Sequence, residues 1–286
     1  PGDGNRAAGY IRFQPRRRTV SETSTRIETA DGLALDVSQQ VAVGAAQGAV
    51  LLAHGLAQDM DEGGMFVRLA ARLSDAGFDV VRFSYRGHGD SDGDPAGTTV
   101  GGELLDFERA FEHAKAQFEG PYFVVAKSFG AVSTCLSLDR YGDDVAGVVL
   151  WNPVLDVAGT FLDPHLPWGT RNFTGEKLDE LHERGRLTLD GGFEMGRVLW
   201  EELHRYDPGA RFRESSVPSL VVHGDADDVV PYEDARRVAR EKGADFHTVE
   251  DANHGFVRPG DGDPGTTTER AQDRVTVDWL TERVES

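Results

Sequence analysis

The sequence predicts an α/β protein: a mostly parallel sheet of about eight strands, flanked by helices and interrupted once by a helical insertion. Three observations carry this expectation. Short apolar runs alternate with stretches of helical periodicity, the pattern of βαβ units. The runs are continuously apolar, as strands buried on both faces of a parallel sheet must be. The alternation then stops between Asn152 and Asp207, a stretch too long for an ordinary loop.

Residues 1–22 are polar and glycine-containing, with a basic triplet Arg16-Arg17-Arg18, and read as an N-terminal arm with a solvated patch. A hairpin follows, Thr25–Thr29 and Leu33–Val43 about a turn at Asp31-Gly32. Ala49–Ala53 is the first apolar run. A helix over Phe66–Asp75 buries Phe66, Leu69, Ala70 and Leu73 on one face and ends at Gly77. Val80–Ser84 is the next strand. Thr98 or Thr99 caps a helix running to Phe118, with Phe107, Ala110 and Phe111 facing the core. Tyr122–Ala126, a helix from Phe129 to Arg140, and Val145–Trp151 repeat the theme. After the insertion come Ser219–His223, a helix over Tyr232–Glu241, Phe246–Val249 and a last helix to Val284. The core is therefore expected from 23–152 and 208–286. The segment 153–207 has three prolines (Pro153, Pro164, Pro167), a Gly191-Gly192 pair, scattered aromatics and no clear strand. It reads as a helical lid over one end of the sheet. Pro259–Gly265 reads as a loop.

Composition narrows the partners. The chain has 286 residues, 39% of them hydrophobic, enough for a substantial core. A net charge of −19 argues against nucleic acid or an anionic membrane surface as partner. No run approaches the roughly 18 apolar residues of a membrane span. Cys135 is the only cysteine, so no intrachain disulfide forms. With no leader visible, the cytoplasm is the expected compartment; a chain that begins at Pro1 leaves export open.

The chemistry centres on Ala126-Lys127-Ser128-Phe129-Gly130, between a strand and a helix. A nucleophilic serine needs exposure at a sharp strand-to-helix turn, a base, and two backbone N–H donors for the oxyanion. The turn crowds the residues two before and two after the serine. Gly130 meets that demand, and Ala126 adds only a methyl. Taken alone, Ser128 reads equally well as a helix cap. Three further stretches complete a Ser…Asp…His order. His54-Gly55-Leu56 follows the first apolar run, and the Leu56 and Phe129 amides are candidate oxyanion donors. His54 itself reads as a loop-fixing residue. A strand ends at His223-Gly224-Asp225-Ala226-Asp227-Asp228, offering three carboxylates to orient an imidazole. The loop Asp251-Ala252-Asn253-His254-Gly255 supplies the base. A calcium loop at the carboxylate cluster is not expected, because Val229 stands where a ligand is needed. No metal and no cofactor are implied.

From Ala49 to about Glu282 the chain resembles an α/β-hydrolase. The blocks that carry the resemblance are His54-Gly55-Leu56, the Arg86-Gly87-His88-Gly89-Asp90-Ser91-Asp92-Gly93 run, the elbow at Ser128, and the Asp227 and His254 loops. The Arg-Gly-His-Gly block is similar to that of a branch including feruloyl and cinnamoyl esterases, monoglyceride lipases, thioesterases and some peptidases. Position and length of the insertion most resemble the feruloyl/cinnamoyl esterases. The resemblance selects Asp227 among the carboxylates, three residues after the glycine and four before Pro231. It implies a serine esterase with catalytic Ser128, Asp227 and His254, oxyanion amides at Leu56 and Phe129, and a small-molecule acyl ester or thioester as substrate. An acyl thioesterase is the alternative, then a peptidase or amidase, or a catalytically silent ligand binder. Phe161, Trp168, Phe173 and Trp200 of the insertion are candidates to line an apolar or aryl acyl pocket, or to pack the lid. Arg86, His88 and Asp90 are expected to brace the oxyanion loop. Two positions depart from the family pattern. Glycine is usual at 126, and histidine is frequent at 127. Lys127 is expected to form an ion pair or hydrogen bond to a neighbouring strand-end loop.

Overall fold

A computed structural model describes residues 22–260 and 267–284. The expected arm, apart from its last residue, and most of the Pro259–Gly265 loop lie outside the described residues. The first strand, β1 (Glu22–Glu28), pairs antiparallel with β2 (Ala34–Gln40). Their turn is closed by Thr29, whose hydroxyl accepts from the Leu33 amide at 3.0 Å, and by Gly32 at φ +89°. Then follow β3 (Ala49–Ala53), α1 (Met65–Asp75), β4 (Asp79–Phe83), α2 (Val100–Gln117), β5 (Tyr122–Lys127), α3 (Gly130–Tyr141) and β6 (Val145–Trp151). The insertion holds α4 (Pro167–Asn172), α5 (Gly175–Arg184), β7 (Arg186–Thr188), β8 (Glu194–Gly196) and α6 (Arg197–Leu203). The chain returns through α7 (Pro208–Glu214), β9 (Ser219–Gly224), α8 (Tyr232–Lys242), β10 (Asp245–Val249) and α9 (Thr267–Val284).

Eight strands form one sheet in the order β1-β2-β4-β3-β5-β6-β9-β10. All pairings from β4 to β10 are parallel; only β1–β2 and β2–β4 run antiparallel. Every residue of β3, β4 and β9 is buried, which accounts for their runs of consecutive apolar residues, although β4 also buries Asp79 and Arg82 and β9 buries Ser219 and His223. The two-residue period splits each strand between two cores. Val50, Leu52, Val125, Val149 and Trp151 pack with α1 and α9, against Phe66, Leu69 and Trp279. Leu51, Ala53, Val124, Ala126 and Leu150 pack on the opposite face against Phe107, Phe111, Cys135, Phe212 and Val238, from α2, α3, α7 and α8. Each fully buried Leu or Phe contributes about 1.5–3 kcal/mol. Thr99 caps α2, its hydroxyl accepting from the Gly102 amide at 2.8 Å.

Two features depart from the sequence expectation. The insertion is not strand-free: β7 and β8 form an antiparallel ribbon whose Gly191-Gly192 turn has φ of +93° and +90°. Three-residue strands are too short to impose a visible period, and only the glycine pair signals the hairpin. The chain also forms α7 before re-entering the sheet. Asp207 caps it, accepting from the Ala210 amide at 2.8 Å, and Phe212 reaches the core under α3. Its seven residues give too little periodicity to be read beforehand.

The insertion builds its own core from Phe161, Phe173, Leu181, Leu187, Met195, Leu199 and Trp200, joined by Phe129 and Val132 of the α3 region. Because Phe129 and Val132 belong to this cluster, the insertion is seated over the N-terminal end of α3, next to the elbow.

Candidate active site

Ser128 sits between the end of β5 and the start of α3 at φ +52°, a left-handed conformation that costs a non-glycine residue energy. The sharp turn is held from both sides. The Ser128 amide donates to the Trp151 carbonyl at 2.9 Å, and the Val154 amide donates to the Ser128 carbonyl at 3.0 Å. Gly130 has no alternative: a Cβ there would lie 2.4 Å from the His54 carbonyl oxygen and 2.5 Å from that of Ala53. Ala126 pairs in register with Ala53 and Leu150 and is fully buried in the α2/α3 core, so its methyl fits where glycine is usual.

The three residues singled out by the sequence converge. His254 Nε2 lies 3.0 Å from Ser128 Oγ, and His254 Nδ1 lies 2.8 Å from Asp227 Oδ2. A carboxylate only accepts, so Nδ1 carries the proton and Nε2 presents a lone pair to the serine hydroxyl. The other Asp227 oxygen accepts from the Val229 and Val230 amides at 2.8 and 2.9 Å. Burial opposes ionisation of Asp227, but His254 and His223 outweigh it and hold the carboxyl well below the usual carboxylate range. Among its neighbours, Asp225 accepts from the Asp251 amide at 2.6 Å, and Asp228 is exposed.

Two contributors escaped the sequence reading. Asn152, at φ +42° just beyond β6, donates through Nδ2 to the His254 carbonyl at 2.8 Å and accepts the Gly224 amide at 2.9 Å. It ties the ends of β6 and β9 to the histidine loop. Asparagine tolerates the left-handed region, and its place at a strand end was the only available signal. His223 Nε2 approaches Asp227 Oδ2 to 3.2 Å, the same oxygen that His254 contacts.

Around the Gly55-Leu56 loop, His54 donates from Nδ1 to the Gly55 carbonyl at 2.8 Å and accepts the Tyr85 amide at 3.0 Å. It fixes the loop, as its sequence position suggests. His88 donates to the Arg86 carbonyl at 2.9 Å, accepts the Ala57 amide at 3.3 Å and stacks on Phe193 of the insertion at 4.8 Å. Of the three residues expected to brace this loop, only His88 touches it. Arg86 instead joins Asp106 of α2 to Asp31 of the hairpin turn, each at 2.8 Å. Asp90 is exposed.

Leu56, Ser128, Phe129 and His254 line one cavity of about 160 Å³, with Val154, Phe161, Trp168 and Val229 forming its apolar wall. Phe161 and Trp168 meet edge to face at 5.7 Å. Phe173 and Trp200, stacked at 5.3 Å, form the layer behind them and do not line the cavity. A larger groove of about 590 Å³ runs over α8 and β10, but its walls hold no serine, cysteine or histidine, so the smaller cavity is the candidate site. Among the described residues, no group of three or more His, Cys, Asp or Glu side chains is arranged to hold a metal ion.

This sheet and its flanking helices make the chain an α/β-hydrolase. Residues 44–195, more than half of the chain, match the Hydrolase_4 family model, described as serine aminopeptidase, S33, and the chain belongs to that family. Among solved structures it is similar to Est1E from Butyrivibrio proteoclasticus with ferulic acid bound (TM-score 0.76, 18% identity, 92% of this chain and 100% of that one). It is also similar to the α/β-hydrolase GrgF from Penicillium sp. sh18 (0.71, 14%, 93% and 100%). The esterase domain of a Rhodothermus marinus protein is a third relative (0.65, 19%, 92% and 99%). At these identities the likeness is one of fold.

Proposed function

We propose that this protein is a serine hydrolase that cleaves carboxylic esters through an acyl-enzyme. The observation that carries the reading is the unbroken Asp227–His254–Ser128 hydrogen-bond chain, 2.8 Å and 3.0 Å, at a strained elbow. His254 Nε2 takes the proton as Ser128 Oγ attacks the carbonyl carbon. Asp227 holds the imidazole in the required tautomer and stabilises its cation. The Leu56 and Phe129 amides receive the oxyanion. His254 then protonates the leaving alcohol, and a water activated by the same imidazole releases the acid.

Residues 153–207 act as the lid and set acyl preference. A small, mainly apolar cavity walled by Phe161 and Trp168 suits a short or aryl acyl group rather than a long chain. The ferulic acid held by Est1E, an aryl acid on the same fold, supports that choice. The test is a panel of p-nitrophenyl esters of rising chain length, aryl esters, acyl-CoA thioesters and aminoacyl p-nitroanilides. Short and aryl esters are expected to lead. A preference for thioesters or anilides would move the substrate class. Failure of the wild-type protein to react with a fluorophosphonate probe would make it a silent ligand binder.

A further inference from the structure

Lys127, the unusual elbow residue, ends β5 with its side chain on the α1 face, as the two-residue strand period requires. There its Nζ meets Glu62 Oε1 at 3.0 Å, and both side chains are buried. The second Glu62 oxygen accepts the Gly55 amide at 2.7 Å. Glu62 reaches this position through a contorted turn. It has φ +49°, followed by Gly63 at +59° and Gly64 at +90°. A non-glycine residue keeps such a conformation only where its surroundings over-determine it.

The connectivity is specific. Gly55 immediately precedes Leu56, and Lys127 immediately precedes Ser128 and Phe129. The two proposed oxyanion amides thus belong to separate loops, and both must point at one oxygen. We infer that the buried Lys127–Glu62 pair is the strut that fixes these loops relative to each other, making both residues positioning residues for the oxyanion hole. The inference rests on the serine-hydrolase reading above. Glu62 grips the Leu56 loop through the Gly55 amide, and Lys127 grips Glu62 from the elbow. A cation is required at 127 because a buried carboxylate without a counter-charge would turn towards water and release the amide. Close contact supports the same coupling: a Cβ on Gly55 would lie 3.1 Å from the Ser128 Cβ, so the two loops touch at this point.

The experiment compares Lys127→Met, Glu62→Gln, Lys127→Arg and the double variant Lys127→Met/Glu62→Gln with wild type. It measures kcat and KM on p-nitrophenyl acetate, the inhibition constant of a trifluoromethyl ketone, and Tm. The ketone forms an oxyanion on Ser128 and so reports the geometry of the two amides directly. The single charge-breaking variants should lose about 10- to 100-fold in kcat and in ketone affinity, with KM within about twofold. Lys127→Arg should stay near wild type. The double variant is neutral and keeps an acceptor for the Gly55 amide, so it should recover part of the loss instead of multiplying it. If a single variant does not fold, the double variant against Lys127→Met/Glu62→Ala gives the same comparison. Folded variants that change Tm but keep kcat and ketone affinity within about twofold of wild type would overturn the inference and leave the hydrolase reading standing. A wild-type protein that takes no fluorophosphonate label would overturn both.

Discussion

Ser128 concentrates several constraints in one residue: positive φ, two clamping backbone bonds and the His254 contact. Ser128→Ala should lower kcat on p-nitrophenyl acetate by about three orders of magnitude or more while leaving Tm near wild type. Hydrolysis retained in that variant would remove Ser128 from the reaction. Asp227→Asn should cost about 10³- to 10⁴-fold in kcat, because an amide favours the wrong imidazole tautomer. Asp225→Asn should cost less than about tenfold, since Asp225 only accepts the Asp251 amide; equal losses in steady-state kinetics would spread the role over both. The serine, histidine and carboxylate loops were all legible as motifs in the sequence. Choosing Asp227 among three adjacent carboxylates required the resemblance, and its two amide donors at Val229 and Val230 required the fold. Asn152 stayed hidden because its partners are 72 and 102 residues away.

At the level of elements, the insertion is tied to the rest of the chain by the apolar cluster it shares with Phe129 and Val132 and by polar contacts such as the Asp156–Arg237 ion pair at 3.0 Å. Another is made by Glu202 of α6, whose carboxylate accepts the Val100 amide at 2.6 Å at the N-terminus of α2. A carboxylate there satisfies an orphan donor and complements the helix dipole. Glu202→Ala should therefore cost about 1 kcal/mol of stability. If the insertion is the lid, the same change should raise KM for aryl esters more than it lowers kcat. Urea denaturation and steady-state kinetics check the two halves; an unchanged urea midpoint would show that Glu202 holds nothing. The long helices and buried strands of this domain could be read from periodicity. The short β7, β8 and α7 could not, since fewer than two turns or two pleats leave no period to detect.

On the scale of the whole molecule, His54 and His88 form a buried pair, 5.1 Å apart, between the sheet loops and the insertion. Burial lowers His54 from 6.5 to about 4, and burial with the neighbouring His54 lowers His88 from 6.5 to about 3. Below pH about 6.5 the unfolded chain therefore binds protons that the folded chain refuses, and their contribution to stability falls with pH. For each histidine the loss at pH 5 is about 2 kcal/mol. His88→Gln removes one such group, so the stability difference between wild type and variant should narrow by about 2 kcal/mol from pH 7 to pH 5. Chemical denaturation at the two pH values measures it, and a constant difference would mean that His88 takes up its proton in the folded state as readily as in the unfolded chain. The sequence by itself determined the α/β order of elements, the two-faced strands, the elbow and the three loops bearing Ser128, Asp227 and His254. Those features rest on local chemistry: periodicity, small residues at a tight turn, and glycines beside functional side chains. Only the tertiary structure decided that Lys127 serves Glu62, that Phe161 and Trp168 face the cavity while Phe173 and Trp200 stand behind, and that Asn152 and His223 support the histidine and its carboxylate. These are contacts between chain segments far apart in sequence, fixed by strand order and burial, and no local pattern encodes them.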